Sequence, residues 1–384
     1  MNILMAASDN YEGSGAFRSM VKLCALLRNE FNHNVYVLLS RDGTGEKLLD
    51  DNNIPYYKIR SYNWIIKESE TYNPYIRAIG LVKKNKNRKS VKQIKELIKK
   101  LDIDIVHLNT SWTYAPAVAA AELNVPYVWH IREFLEEDQN ARMWNRNYGY
   151  SLMKGASQVI AISKSIKAKY DALLDNGKVV TVFNGVDDSE FADKYHEVLK
   201  DNKAKLLIVG TISENKGQIQ LLKACVKLKE RGITCFKLDI VGKGNAEYEN
   251  KLKSFCGDNE LNGFVEFVGF ESNCADCYKN ADITFVCSRA EAFGRVTVEA
   301  MMAGSLIIGA DAGATPELIE DNKTGLLYHL DDIDGLADKI EWALSNRENA
   351  RKIAAGGRAY MLSNMTAKKN AENVSLIYEK QGLK

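Results

Sequence analysis

No apolar run in this chain approaches the roughly 20 residues that a membrane-spanning helix requires, so an integral membrane protein is not expected. The opening MNILMAAS lacks the charged leader and small-residue cleavage site of a signal peptide and reads as a first strand. A disulfide framework is missing too. The seven cysteines (Cys24, Cys225, Cys235, Cys256, Cys274, Cys277 and Cys287) are scattered, odd in number and mostly set in apolar runs, which fits free thiols in a reducing compartment. Cys274 and Cys277 have C-x-x-C spacing, but no second pair stands near them to complete a zinc site. The formal net charge of +2 gives no overall argument for nucleic acid or for an acidic partner, so any basic patch must be local. What is present is a 384-residue chain, 46% hydrophobic, long enough for two packed cores and expected in the cytoplasm.

The densest signal lies in residues 282–317, DITFVCSRAEAFGRVTVEAMMAGSLIIGADAGATPE. An apolar run from Ile283 to Val286 has strand length, and it breaks at Ser288 and Arg289. Glu291 and Glu299 then stand eight positions apart around Phe293, Gly294 and Arg295, with Val296, Val298, Ala300, Met301 and Met302 patterned as a helix. A second apolar run to Gly309 and a Gly-rich turn follow, completing a βαβ unit whose loops fall at the carboxyl ends of parallel strands. A glycine at a loop-to-helix junction lets a ligand approach the backbone, and the helix start offers unpaired N–H groups and a positive dipole end. That combination suits a diphosphate. Glu299 can accept hydrogen bonds from the vicinal hydroxyls of a ribose, and Glu291 can meet another part of the same ligand.

SRAEAFGRVTVEAMMAG, followed by DAGATPELI and TGLLY, resembles the retaining glycosyltransferases of family 4, in which a Glu-x7-Glu pair is the hallmark. The resemblance implies an α/β fold of GT-B architecture: two Rossmann-like, doubly wound domains facing across a cleft. It implies a first, acceptor-binding domain over 1–187, a linker over 188–204 and a nucleotide-sugar-binding domain over 205–362. A last helix, 363–384, is expected to cross back to the first domain.

In the first half, strand one runs into Gly13-Ser14-Gly15 and then a helix; the turn is not a full G-x-G-x-x-G. The resemblance turns Gly13 and Gly15 toward the cleft. Aromatic residues from Tyr62 to Tyr75 precede a basic run in which Glu96 alone opposes ten lysines and arginines between 76 and 100. Ser90 to Leu101 reads as an amphipathic helix. Such a segment, 61–100, suits anionic lipid head groups, each nearby cation contributing about 1 kcal/mol, or the phosphates of a lipid-linked acceptor; a solvated helix face is the plainer alternative. VPYVWHIRE resembles the family segment that brings a histidine to the donor sugar, so His130 is expected at a strand's carboxyl end, and His107 in the core.

In the second half, Lys205 to Val209 leads into Gly210-Thr211-Ile212-Ser213-Glu214-Asn215-Lys216-Gly217. The family pattern has an arginine where Thr211 stands and a lysine at Lys216, both on the diphosphate. Lys216 is kept, as a point charge rather than a bidentate fork, and Arg295 or Arg289 is left to supply the missing cation. Glycine after strands, as at Gly242, marks further nucleotide-contacting turns.

The expectation is a retaining glycosyltransferase taking a nucleotide-diphosphate sugar, UDP-sugar ahead of GDP-sugar, to a glycan or lipid-linked acceptor of a bacterial surface polysaccharide. Glu291, Lys216 and His130 are its candidate catalytic residues. Glu299, Gly294, Phe293, Arg295, Val296, Thr211, Gly13, Gly15 and Gly242 are its candidate donor contacts. No D-x-D motif occurs in a metal-ligating context, and no bound metal or other cofactor is expected. A sugar-nucleotide epimerase, a phosphorylase or a non-catalytic nucleotide-sugar-binding partner of the same fold stays open. Nucleic acid is not an expected partner, and peripheral membrane contact would place the protein at the inner face of the plasma membrane.

Overall fold

A computed structural model describes residues 1–137, 139–175, 177–191 and 197–382. Residues 192–196 of the expected linker and 383–384 of the expected last helix lie outside the described residues. The chain divides into two compact units, Met1–Gly185 with Ala367–Lys384, and Val186–Thr366.

The first unit is built on a seven-stranded parallel sheet. Its spatial order is Tyr56–Lys58, Asn34–Leu39, Asn2–Ala6, Ile105–Leu108, Tyr127–Ile131, Gln158–Ala161 and Val179–Thr181. Ile3, Met5, Val35, Val37 and Ile105 are wholly buried, as strands covered by helices on both faces must be. The basic segment forms one helix, Pro74–Lys100, far longer than the 90–101 stretch read from periodicity. Asn73 caps it by accepting from the Tyr75 N–H, and Pro74 occupies the first turn, where its missing N–H costs nothing. Its buried Asn87 side chain pairs with both backbone groups of Tyr62, and that polar anchor extends the helix beyond its apolar stripe. A short antiparallel pair, Ile65–Lys67 with Ala141–Met143, stands apart from the main sheet.

The second unit repeats the strand order with six strands: Val265–Gly269, Phe236–Val241, Ala204–Val209, Ile283–Val286, Leu306–Ala310 and Leu326–Tyr328. In each sheet the first strand in sequence lies inside, and the order reverses beside it. This is the doubly wound arrangement, whose ligand crevice opens at the reversal, beyond the carboxyl ends of the strands.

Two boundaries differ from those read in the sequence. The 188–204 segment does not stand free as a connector. Val198 and Leu199 belong to the second unit's core, and the Asp282 carboxylate accepts from the N–H groups of Leu199 (2.5 Å) and Lys205 (2.8 Å). At the other end, helix Arg347–Asn364 packs with the second unit, so the chain re-enters the first unit at Ala367 rather than at 363. Helix Ala367–Gly382 then buries Ala371, Val374 and Tyr378 in the first unit's core.

Candidate active site

In the second unit the loops following Val209 and Val286 flank the strand-order reversal, and they are tied together. The Arg289 N–H donates to the Asn215 carbonyl (2.9 Å) and the Gln220 side chain donates to the Cys287 carbonyl (3.2 Å). This holds Lys216 Nζ 2.8 Å from Glu291 Oε2, although 75 residues separate them in the chain. Both side chains are partly shielded, at 28% and 18% exposure. The Glu291 loop is fixed from behind by the Ala314 N–H, which donates to the Glu291 carbonyl (2.8 Å).

Gly294 caps helix Arg295–Ala303 with φ of 94°, in the left-handed region that glycine adopts without penalty, so the helix start is turned sharply out of the loop. Phe293 beside it is buried, Val296 half-buried and Arg295 exposed. One turn in, Glu299 accepts from Arg295 Nε at 2.6 Å. The same carboxylate acts on the buried Tyr278 hydroxyl, whose pKa is held well above normal first by burial and then by the Glu299 charge. Gly242 approaches Gly210 so closely that a Cβ would lie 1.9 Å from its carbonyl oxygen, and the Gly210 N–H donates to Val241 O (2.9 Å). Thr211 is exposed, its carbonyl accepting from Gln218 (3.1 Å).

Both arginines considered as replacements for the one missing at Thr211 are paired with carboxylates. Arg295 is paired with Glu299, and Arg289 makes two bonds to Asp331 (2.6 and 2.5 Å). The first pair is the i,i+4 neighbour that helical spacing brings together, whereas Asp331 lies 42 residues on and no local pattern reveals it. Lys216 is therefore the cation standing beside Glu291.

In the first unit a cavity of about 480 Å³ opens at the reversal of the sheet, lined among others by Asp9, Ser14, Arg41, Thr110, Arg132 and Glu133. Gly13 and Gly15 flank Ser14 at the start of helix Gly15–Asn29, but it is Ser14 and Ala16 that line the cavity. His130 does not sit at an open strand end. It is wholly buried within Tyr127–Ile131, its Nδ1 3.1 Å from His107 Nε2. Position along the strand explains the difference: His130 is still inside the sheet, paired with Ile160, and Arg132, the first residue past the strand's end, is the one that lines the cavity.

Arg132 and Glu133 are the residues the sequence reading missed. A charged pair directly after the strand Tyr127–Ile131 was the available signal. Arg132 donates to Asn109 Oδ1 (2.9 Å), to Asn184 Oδ1 and to His130 Nδ1 (3.4 Å). Because a guanidinium can only donate, His130 Nδ1 must accept and the His130 proton sits on Nε2. His107 Nε2 then donates to His130, which leaves His107 Nδ1 to accept from the Tyr378 hydroxyl at 2.6 Å. Burial and the Arg132 charge push His107 down to about 3 and His130 well below its usual range. Glu133 accepts from the N–H groups of Ser111 (2.7 Å) and Arg132 (3.1 Å), while burial raises it to about 6.

Residues 13–190 match the glycosyltransferase family 4 model and residues 188–360 the glycosyl transferases group 1 model. An uncharacterized glycosyltransferase of Methanocaldococcus jannaschii is 29% identical over 237 residues, 58% of this chain and 56% of its own length. The lipopolysaccharide 1,2-N-acetylglucosaminetransferase of Salmonella typhimurium is 29% identical over 276 residues, 65% of this chain and 69% of its own. Among solved structures, Anabaena Alr3699/HepE in complex with UDP superposes with a TM-score of 0.81 at 20% identity, covering 99% of this chain and 100% of that one. The chain belongs to the family 4 glycosyltransferases and has their GT-B fold of two Rossmann-like domains.

Proposed function

We propose that the protein is a retaining hexosyltransferase, using a UDP-sugar in preference to a GDP-sugar and requiring no bound metal. The observation that carries this is the Lys216–Glu291 pair beside the Gly294 helix start, with Glu299 one turn further in. Lys216 and the N–H groups after Gly294 neutralise the departing diphosphate. Glu291 orients sugar hydroxyls, and Glu299 exchanges Arg295 for the ribose. The leaving phosphate accepts the acceptor proton on the face where the new bond forms, so no protein nucleophile is needed. The UDP bound to the Anabaena neighbour supports the choice of base.

The acceptor is a glycan or lipid-linked glycan of a surface polysaccharide, as the Salmonella relative's name suggests. Helix Pro74–Lys100, with exposed Tyr75, Leu81 and Val82 beside its lysines, meets the anionic membrane that carries such an acceptor. Transfer assays across UDP- and GDP-sugars, with NMR of the product's anomeric centre, test the reading. Inverted product, preference for GDP-sugars or loss of activity restored only by a divalent metal would each contradict it. Failure to co-sediment with anionic liposomes would remove the membrane contact.

A further inference from the structure

Arg132 is only 8% exposed, yet no described carboxylate reaches its guanidinium within ion-pair distance. Glu133 next to it turns both oxygens to backbone N–H groups instead. Burying a cation is costly unless it is paired, and here all three partners, Asn109, Asn184 and His130, are neutral acceptors. A guanidinium carries five N–H donors, so two remain. The side chain lines the 480 Å³ cavity, and Arg41 lines the same space.

We infer that Arg132, assisted by Arg41, holds an oxyanion carried by the acceptor, while Thr110, Thr113 and Ser40 meet its hydroxyls. The ligand class is a hydroxyl-rich molecule bearing one phosphate or carboxylate. A planar fork suits either group bidentately. Tyr378 is a positioning residue: through His107 it fixes His130 as an acceptor toward Arg132, so the last helix sets the orientation of the fork. Identifying the oxyanion's carrier with the acceptor rests on the transferase reading above.

The test is calorimetric titration of the whole chain with glucose 6-phosphate, glucuronate and glucose, in wild type, Arg132→Gln and Lys216→Ala. The wild type should bind at least one anionic sugar about tenfold or more tighter than glucose, and the better of the two names the oxyanion. That preference should vanish in Arg132→Gln and persist in Lys216→Ala. Equal binding of glucose and both anionic sugars, or a preference that survives Arg132→Gln, would overturn the inference. Should Arg132→Gln not fold, Arg132→Lys is read in its place, since lysine keeps the charge without the fork: a several-fold loss of preference supports the inference, and an unchanged one overturns it. UDP titrated into the same samples separates the readings. UDP binding without anion preference overturns this inference alone, and Arg132-dependent preference without UDP binding overturns the donor reading alone.

Discussion

The carboxyl ends of the two sheets occupy the same topological position, yet the first domain buries its polar groups there while the second leaves them half open. Tyr378, His107 and His130 are fully enclosed and neutral, and Arg132 leans on neutral acceptors. Lys216, Glu291, Arg295 and Glu299 instead form ion pairs within reach of solvent. One strand order thus supports two electrostatic designs. A half-open ion pair can exchange partners with an incoming charged ligand at small cost, because exposed pairs are worth little. A buried neutral chain cannot, and it serves to fix geometry.

That contrast predicts different acid behaviour, and this is the largest effect expected. The folded pKa values of His107 and His130 lie below that of an unfolded histidine, so the unfolded chain takes up protons first. Their contribution is intact above about pH 6.5 and is lost as pH falls toward 3, on the order of 4–5 kcal/mol for His107 alone. Glu133, raised to about 6, titrates with the opposite sign and offsets part of this loss. In the second domain His329 is 87% exposed. Trp64, Trp112, Trp129 and Trp144 lie in the first unit and Trp342 in the second. Tryptophan fluorescence should therefore report acid unfolding of the first domain before far-UV ellipticity is fully lost; coincident transitions would break the comparison.

Next in size is Lys216→Ala, expected to lower turnover about 10²–10³-fold, as removal of a transition-state electrostatic partner does, with uridine binding little changed. Tyr378→Phe, which leaves a buried imidazole nitrogen without its donor, should cost about 1–3 kcal/mol in urea unfolding of the first domain. No change would show that the hydroxyl is not a structural link. The smallest effect is a gain. Thr211→Arg, placing a cation where the family pattern has one, should tighten UDP by about 1 kcal/mol at low salt, less at high salt.

The second domain was the more legible in sequence because its signals are local. Strand, glycine and helix follow one another between Ile283 and Ala303, and the Glu-x7-Glu spacing lies inside one loop and one helix. The first domain's chain of rings is assembled from strands 23 residues apart and a helix 271 residues away, so no window of sequence contains it. His130 drew attention as a histidine near a strand end; it lies inside the strand and is wholly buried, whereas Arg132, just past the strand's end, reaches the cavity, and that difference depends on where the strand stops. The long basic helix was under-read for a related reason. Its first half buries little apolar surface and is held by Asn87 and its cap, which hydrophobic periodicity does not register.

The central claim, that the Lys216–Glu291 loops hold the donor's diphosphate, is tested most directly by calorimetric titration of UDP and uridine into wild type and Lys216→Ala. UDP should bind more tightly than uridine in the wild type, and most of this difference should disappear in the variant. An unchanged difference would place the diphosphate elsewhere and contradict the claim.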